Sequence, residues 1–126
     1  MVRNKNLSTG AIIIISTFAN EKSLREIAHE MIVNAKLCAC VSYTKVRSLY
    51  WWENKLNDEE EFIALFKTTK KKAKELMNKL EKQHPYDIPE ILEISIDKAS
   101  KPYLEWLIGS TSISVVSDKR REQLTQ

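Results

Sequence analysis

The sequence predicts an α+β domain with its elements in the order β-α-β-β-α-β. Three observations carry this reading. The run Ala11-Ile12-Ile13-Ile14-Ile15 is short, apolar and β-branched, the pattern of a strand covered on both faces. Two later segments space their apolar residues by three and four, as helices with one buried face do. Between them lie two stretches rich in Val, Tyr, Thr, Trp and Phe, joined through polar residues, which reads as a pair of strands.

Each element has its own signals. After the first strand, Asn20 or Ser23 can cap a helix, and Ser23 with Glu26 has capping-box spacing. Leu24, Ile27, Ala28, Met31, Ile32 and Ala35 form its apolar face, which is expected to pack on a sheet. From Cys38 to about Glu53 the chain turns β-like, Asn54 to Asp58 supplies turn chemistry, and Phe62 to Thr69 reads as the returning strand. The arms of such a hairpin reach roughly 40 Å at ~3.3 Å per residue. One small domain cannot cover it, so its tip, with Leu49, Tyr50, Trp51 and Trp52, is expected to bury itself against a partner subunit.

Thr68 or Thr69 caps a second helix with Ala73, Leu76, Met77 and Leu80 on one face, and Pro85 stops it near His84. Ile91 to Ile96 alternates as a half-buried strand. Ser100 caps a short helix with Pro102 in its first turn, and Gly109 reads as its C-terminal cap. Ile113 to Val116 reads as a last short strand, before a charged tail at residues 118–126. This is the split βαβ order of a ferredoxin-like domain with an added helix and edge strand. The chain, 1–126, is read as one domain with its core at about residues 10–117.

Composition narrows the function classes. Hydrophobic residues make up 43% and charged residues 29%, values ordinary for a soluble globular domain. The net charge of +3 comes from 20 Lys and Arg against 17 Asp and Glu, a mixed surface that does not point to nucleic acid. The apolar stretch after Arg3 and Lys5 is too short for a signal-peptide core or a membrane span. The expectation is a cytoplasmic protein with reduced thiols, whose Cys38 and Cys40 do not form a disulfide framework.

Five stretches, taken in order, resemble the CutA1 divalent-cation-tolerance family. They are Ala39-Cys40-Val41, Leu49-Tyr50-Trp51-Trp52-Glu53-Asn54-Lys55, Phe66-Lys67-Thr68, His84-Pro85-Tyr86-Asp87-Ile88-Pro89-Glu90 and Tyr103-Leu104-Glu105-Trp106-Leu107. The resemblance implies a homotrimer of ferredoxin-like domains with sheet pairing between subunits. It also implies association with divalent metals, especially copper, and cellular tolerance to them, with no catalytic reaction attached. Asn54 stands where the family usually has glycine. Some bacterial relatives carry a cysteine, counted among copper ligands, where this first strand ends Ser16-Thr17-Phe18. Others have two histidines before the proline, where this chain has Gln83-His84.

The candidate metal ligands are Cys40, His84 and Cys38. Residues two apart on a strand share a face, so two thiolates there could grip a soft ion such as Cu(I). The plainer alternative is a pair of small buried hydrophobes. His84, at a helix end, is either a metal ligand or a C-terminal cap, and His29 reads as a solvated residue. Trp52, Lys67, Tyr86 and Glu90 are candidates for a small-molecule or anion pocket in a cleft between subunits. Tyr50, Trp51 and Trp52 are assigned to the trimer interface in preference to base stacking, because acidic Asp58 to Glu61 follow them. Lys70, Lys71, Lys72 and Lys74 read as a solvated face broken by Glu75 and Glu81.

The leading functional reading is therefore a trimeric cytoplasmic protein of divalent metal, chiefly copper, tolerance. It needs no organic cofactor and contacts neither nucleic acid nor membrane. The alternative is a trimeric signalling or scaffold protein resembling the nitrogen-regulatory PII proteins, binding a small ligand between subunits. An enzyme such as an acylphosphatase is set aside, since Phe18-Ala19-Asn20-Glu21-Lys22 lacks the arginine-bearing phosphate loop which that chemistry needs.

Overall fold

The computed structural model describes residues 9–112. The expected strand Ile113 to Val116 and the tail 118–126 lie outside the described residues. Strands β1 (Ala11–Phe18), β2 (Cys40–Trp52), β3 (Lys55–Thr69) and β4 (Ile91–Ser95) form one antiparallel sheet in the order β2-β3-β1-β4. Helices α1 (Glu21–His29), α2 (Lys70–Gln83) and α3 (Lys101–Ser110) complete the split βαβ arrangement.

β1 lies between β3 and β4, so both its edges are paired. Its Ile12, Ile14 and Phe18 join Leu24 and Ile27 of α1 and Ala73, Leu76 and Leu80 of α2 in one buried core with Phe66 of β3. The isoleucine run is explained by this central place: Ile12 and Ile14 are buried against the helices, while Ile13 and Ile15 on the opposite face are half-buried.

Asn20, not Ser23, caps α1, since Asn20 Oδ1 accepts the Ser23 N–H at 2.8 Å. The helix then widens into a π-helical turn over Glu30–Asn34, closed by the Ala35 N–H donating to Glu30 O at 2.9 Å. Lys36 leaves it with φ of 54°, and the Leu37 N–H donates to Met31 O at 2.8 Å. That exit buries Leu37 and Cys38 before β2 begins. β2 therefore starts at Cys40, two residues later than the β-like composition indicates.

The turn expected over Asn54 to Asp58 is corrected to a two-residue turn at Glu53-Asn54. Their φ values are 52° and 61°, and Trp52 pairs with Lys55 across the turn, the signature of a type I′ hairpin. The polar run Lys55 to Glu61 is strand because the ladder from Val46 to Trp52 pairs all of it. Cross-strand contacts such as Arg47 Nε to Asp58 Oδ1 at 2.7 Å offset the poor β-propensity of its acids. β1 reaches β3 only over Phe62–Thr69, so Val46–Trp52 and Lys55–Glu61 project as a two-stranded arm.

Neither expected threonine caps α2 through its side chain. Thr69 is the N-cap residue without a side-chain cap bond, and Thr68 Oγ1 donates to Leu37 O at 2.6 Å. Ser100 likewise makes no side-chain cap bond to α3. Gly109 is not the end of α3, which runs on to Ser110 and is closed by Thr111, whose hydroxyl donates to Leu107 O and Ile108 O at 3.1 Å each.

Candidate metal and ligand site

The two thiols sit in different environments. Cys38 precedes β2, is fully buried within the core, and donates its N–H to Met31 O at 3.4 Å. Burial pushes its thiol up to about 12, so it behaves as a small apolar side chain. Cys40 is half-buried at the first position of β2, directly opposite Lys67. Lys67 Nζ donates to Ser42 Oγ at 3.1 Å, and that oxygen lies 3.8 Å from Cys40 Sγ. The expectation that Cys38 and Cys40 share one strand is corrected, because Cys38 belongs to the turn before β2.

His84 closes α2, its N–H donating to Leu80 O at 2.9 Å. Its imidazole is buried and stacks on Phe18 with centroids 4.4 Å apart and planes at 19°. Nδ1 accepts the Tyr86 N–H at 3.1 Å, so Nε2 carries the proton and donates to Thr17 O at 2.8 Å. Both ring nitrogens are therefore engaged. Burial lowers the His84 pKa, with the Thr17 carbonyl and Glu61 opposing that shift.

Tyr86 carries the loop on to Glu61, its hydroxyl donating to Glu61 Oε2 at 2.7 Å. Burial first, then this carboxylate, raises the Tyr86 pKa. Glu61 is 8% exposed, and Glu59, on the same face of β3, accepts from the Tyr50 hydroxyl at 3.1 Å. Sequence reasoning missed Glu61 and Ser42. Glu61 had a signal, since acids alternating with Asp58 and Glu60 can share a face only if the run is strand. Ser42 had none beyond its spacing of two from Cys40.

These candidates do not converge within one chain. Cys40 faces Lys67 and hence Ile13, while His84 holds Thr17, about 13 Å farther along β1 at 3.3 Å per residue. Tyr86 marks Glu61, about 20 Å from Lys67 along β3. Trp52 lies at the arm tip opposite Lys55, and Glu90 is exposed just before β4. Tyr50, Trp51 and Trp52 are 37%, 70% and 45% exposed. Among the described residues no group of three or more His, Cys, Asp or Glu is arranged to hold a metal. With Cys38 buried and both His84 nitrogens bonded, the donors of a single subunit do not fit a closed metal site.

Comparisons with known proteins agree on the relationship. The family model described as CutA1 divalent ion tolerance protein matches residues 12–110. The divalent-cation tolerance protein CutA of Thermotoga maritima is 38% identical over 76% of this chain and 94% of its own. The crystal structure of CutA1 from Pyrococcus horikoshii is 33% identical, with a TM-score of 0.77 over 80% of this chain and 98% of that one. A periplasmic divalent cation tolerance protein CutA from Archaeoglobus fulgidus is 28% identical with the same TM-score of 0.77, over 81% of this chain and 99% of that one. A family model across the whole α+β core, together with relatives nearly full-length in overlap, is decisive: this chain belongs to the CutA1 divalent ion tolerance family.

Proposed function

We propose that three copies of this chain, each a single domain over residues 1–126, assemble into a cytoplasmic homotrimer that serves tolerance to divalent metals, copper among them, and catalyses no reaction. The observation that carries the assembly is the projecting arm. Leu49, Trp51 and Leu56 are 62%, 70% and 62% exposed on it, more apolar surface than a lone subunit of this size leaves in water. The strands β2 and β4, at the two edges of the sheet, both lack an outer neighbour among the described residues, and exposed Leu92 and Ile94 lie on β4. Pairing one copy's edge with another's covers both features at once. No helix among the described residues is long and apolar enough to cross a membrane. A reducing cytoplasm suits the free Cys38 and Cys40.

Of the three candidate ligands, Cys40 supplies the donor for a soft ion, since His84 and Cys38 are committed to the fold. Its coordination is completed by donors of neighbouring copies, and a pocket from Trp52, Lys67, Tyr86 and Glu90 likewise requires more than one subunit. Sedimentation and native mass spectrometry test the assembly; a monomer overturns it. Calorimetric titration of Cu(I), Cu(II) and Zn(II) into wild type, Cys40→Ser and His84→Ala tests the metal contact. The expected result is Cu(I) binding lost only in Cys40→Ser, and identical weak binding in all three overturns it.

A further inference from the structure

We propose that the end of the sheet where β1 starts is a lysine platform that binds the phosphate backbone of double-stranded nucleic acid without reading its sequence. This goes beyond metal tolerance and uses only placements within one subunit, so it can fail while the assembly and metal readings hold, and the reverse.

The fold gathers these lysines from two stretches far apart in the chain. The Lys70 N–H donates to Gly10 O at 2.7 Å, which sets the start of α2, with Lys70, Lys71, Lys72 and Lys74, beside the start of β1. The Ile96 N–H donates to Ala11 O at 3.0 Å, and Thr9 Oγ1 donates to Ile96 O at 2.8 Å. Those bonds bring Lys98 and the first residue of α3, Lys101, to the same end. Lys72 is half-buried and the other five are exposed.

Nothing inside the subunit uses this charge. The ion pairs among the described residues are Arg47 with Asp58 and Lys79 with Glu30, and neither involves the platform. Lysines in a first helical turn oppose the dipole, so Lys70, Lys71 and Lys72 weaken α2 with no return in the fold. Asp97 and Glu75 are interspersed and leave a clear excess of cations. The acids of the arm are too remote to cancel it. Asp58 lies roughly 36 Å from Thr69 at 3.3 Å per residue of β3, several times the Debye length of about 8 Å at physiological salt. The net charge of +3 therefore conceals two separated poles, which is why composition by itself does not point to nucleic acid.

Shape and chemistry select the partner. Successive helix positions turn by about 100°, so Lys70, Lys71 and Lys72 fan around the start of α2, with Lys98 and Lys101 beside them. A flat anionic bilayer meets one side of such a fan, whereas a rod with phosphates along both strands can be held from several. Trp51 and Leu56, exposed apolar side chains of the kind that enter a bilayer, sit on the arm at the other end of β3. The arm of a second copy is a poor occupant, because Asp58 is paired with Arg47, and Glu59 and Glu61 accept from Tyr50 and Tyr86. The described arginines, Arg25 and Arg47, lie on α1 and the arm. The platform thus offers point charges for phosphate oxygens and no bidentate fork for base edges.

A labelled DNA duplex of mixed sequence, titrated with the full chain in EDTA and followed by anisotropy, tests this without metal bridging. Binding at about 50 mM salt is expected to weaken about 100-fold at about 200 mM, the slope of roughly four phosphate contacts. A duplex of unrelated sequence is expected to bind within about twofold. Lys70→Glu with Lys71→Glu, and separately Lys98→Glu with Lys101→Glu, are each expected to weaken binding about tenfold or more. Lys22→Glu with Lys82→Glu makes the same charge change at the opposite end of the helices and is expected to stay within about twofold. Glutamate in the first turn of α2 suits the dipole, and circular dichroism checks that every variant is folded. No duplex binding at the lower salt, equal loss from the Lys22 and Lys82 pair, or tighter binding to phosphatidylserine vesicles than to the duplex overturns the proposal.

Discussion

The Tyr86 hydroxyl donates to Glu61 Oε2 at 2.7 Å, tying the loop after α2 to β3 one residue beyond the last residue that β1 pairs. Glu61 is buried there, and Tyr86 is the hydrogen-bond donor to its side chain among the described residues. Removing the phenol leaves a buried carboxylate short of a partner, which costs about 1–3 kcal/mol. Tyr86→Phe is expected to lower the urea midpoint accordingly. The companion change Glu61→Gln is expected to bring the Tyr86 phenol back toward its ordinary titration range in ultraviolet difference spectra, because that carboxylate is one of the causes holding it up. An unchanged midpoint in Tyr86→Phe would count against this link.

His84 sets a pH dependence. Its pKa in the fold lies below the unfolded value because burial disfavours the imidazolium. Protonation also removes the Nδ1 lone pair that accepts the Tyr86 N–H. The unfolded chain then binds the proton first, so the contribution is fully present above about pH 6.5 and declines as pH falls below it. Denaturation midpoints measured between pH 5 and 8 are expected to fall on the acid side in wild type, and His84→Gln is expected to flatten that slope.

The arm offers a test that separates assembly from folding. Trp51 and Leu56 are 70% and 62% exposed in a single subunit, so they add little to its own core. Trp51→Ser with Leu56→Ser is expected to shift the sedimentation coefficient from trimer toward monomer while far-ultraviolet circular dichroism keeps its shape. Retention of the full trimer mass at micromolar protein would count against the arm as interface.

Among the described residues, three non-glycine residues hold positive φ: Lys36, Glu53 and Asn54. Glycine relieves the side-chain clash of that conformation at the expense of a more flexible unfolded chain. The net effect is largest where the residue is not Asn or Asp. Lys36→Gly is expected to stabilise by about 0.5–1 kcal/mol, and Asn54→Gly by less, both read from thermal or urea midpoints.

Ser16 is fully buried, and its hydroxyl makes no hydrogen bond among the described residues. Ser16→Ala removes a desolvated polar group at a small loss of volume, and is expected to raise stability by about 1 kcal/mol. A loss of stability would mean that the hydroxyl has a partner in solution.

Local signals sufficed for β1, the faces of α1 and α2, the stop at Pro85 and the strand from Ile91, because each is written in neighbouring side chains. The long hairpin and its exposed aromatic tip were also legible, since arm length follows from residue count alone. The polar start of β3 was not. Lys55 to Glu61 is strand only because Val46 to Trp52 lies opposite it, and such pairing outweighs intrinsic preference. The fate of the candidate site was hidden for the same reason. Cys38 and Cys40 look equivalent in sequence, yet the exit through Lys36 buries one and leaves the other facing Lys67. His84 looked available until Thr17 and Tyr86 took its two nitrogens. Sequence determined where most of the elements lie, through short-range periodicity and the break at Pro85. Tertiary structure decided which donors remain free, because burial and hydrogen-bond partners come from residues distant along the chain.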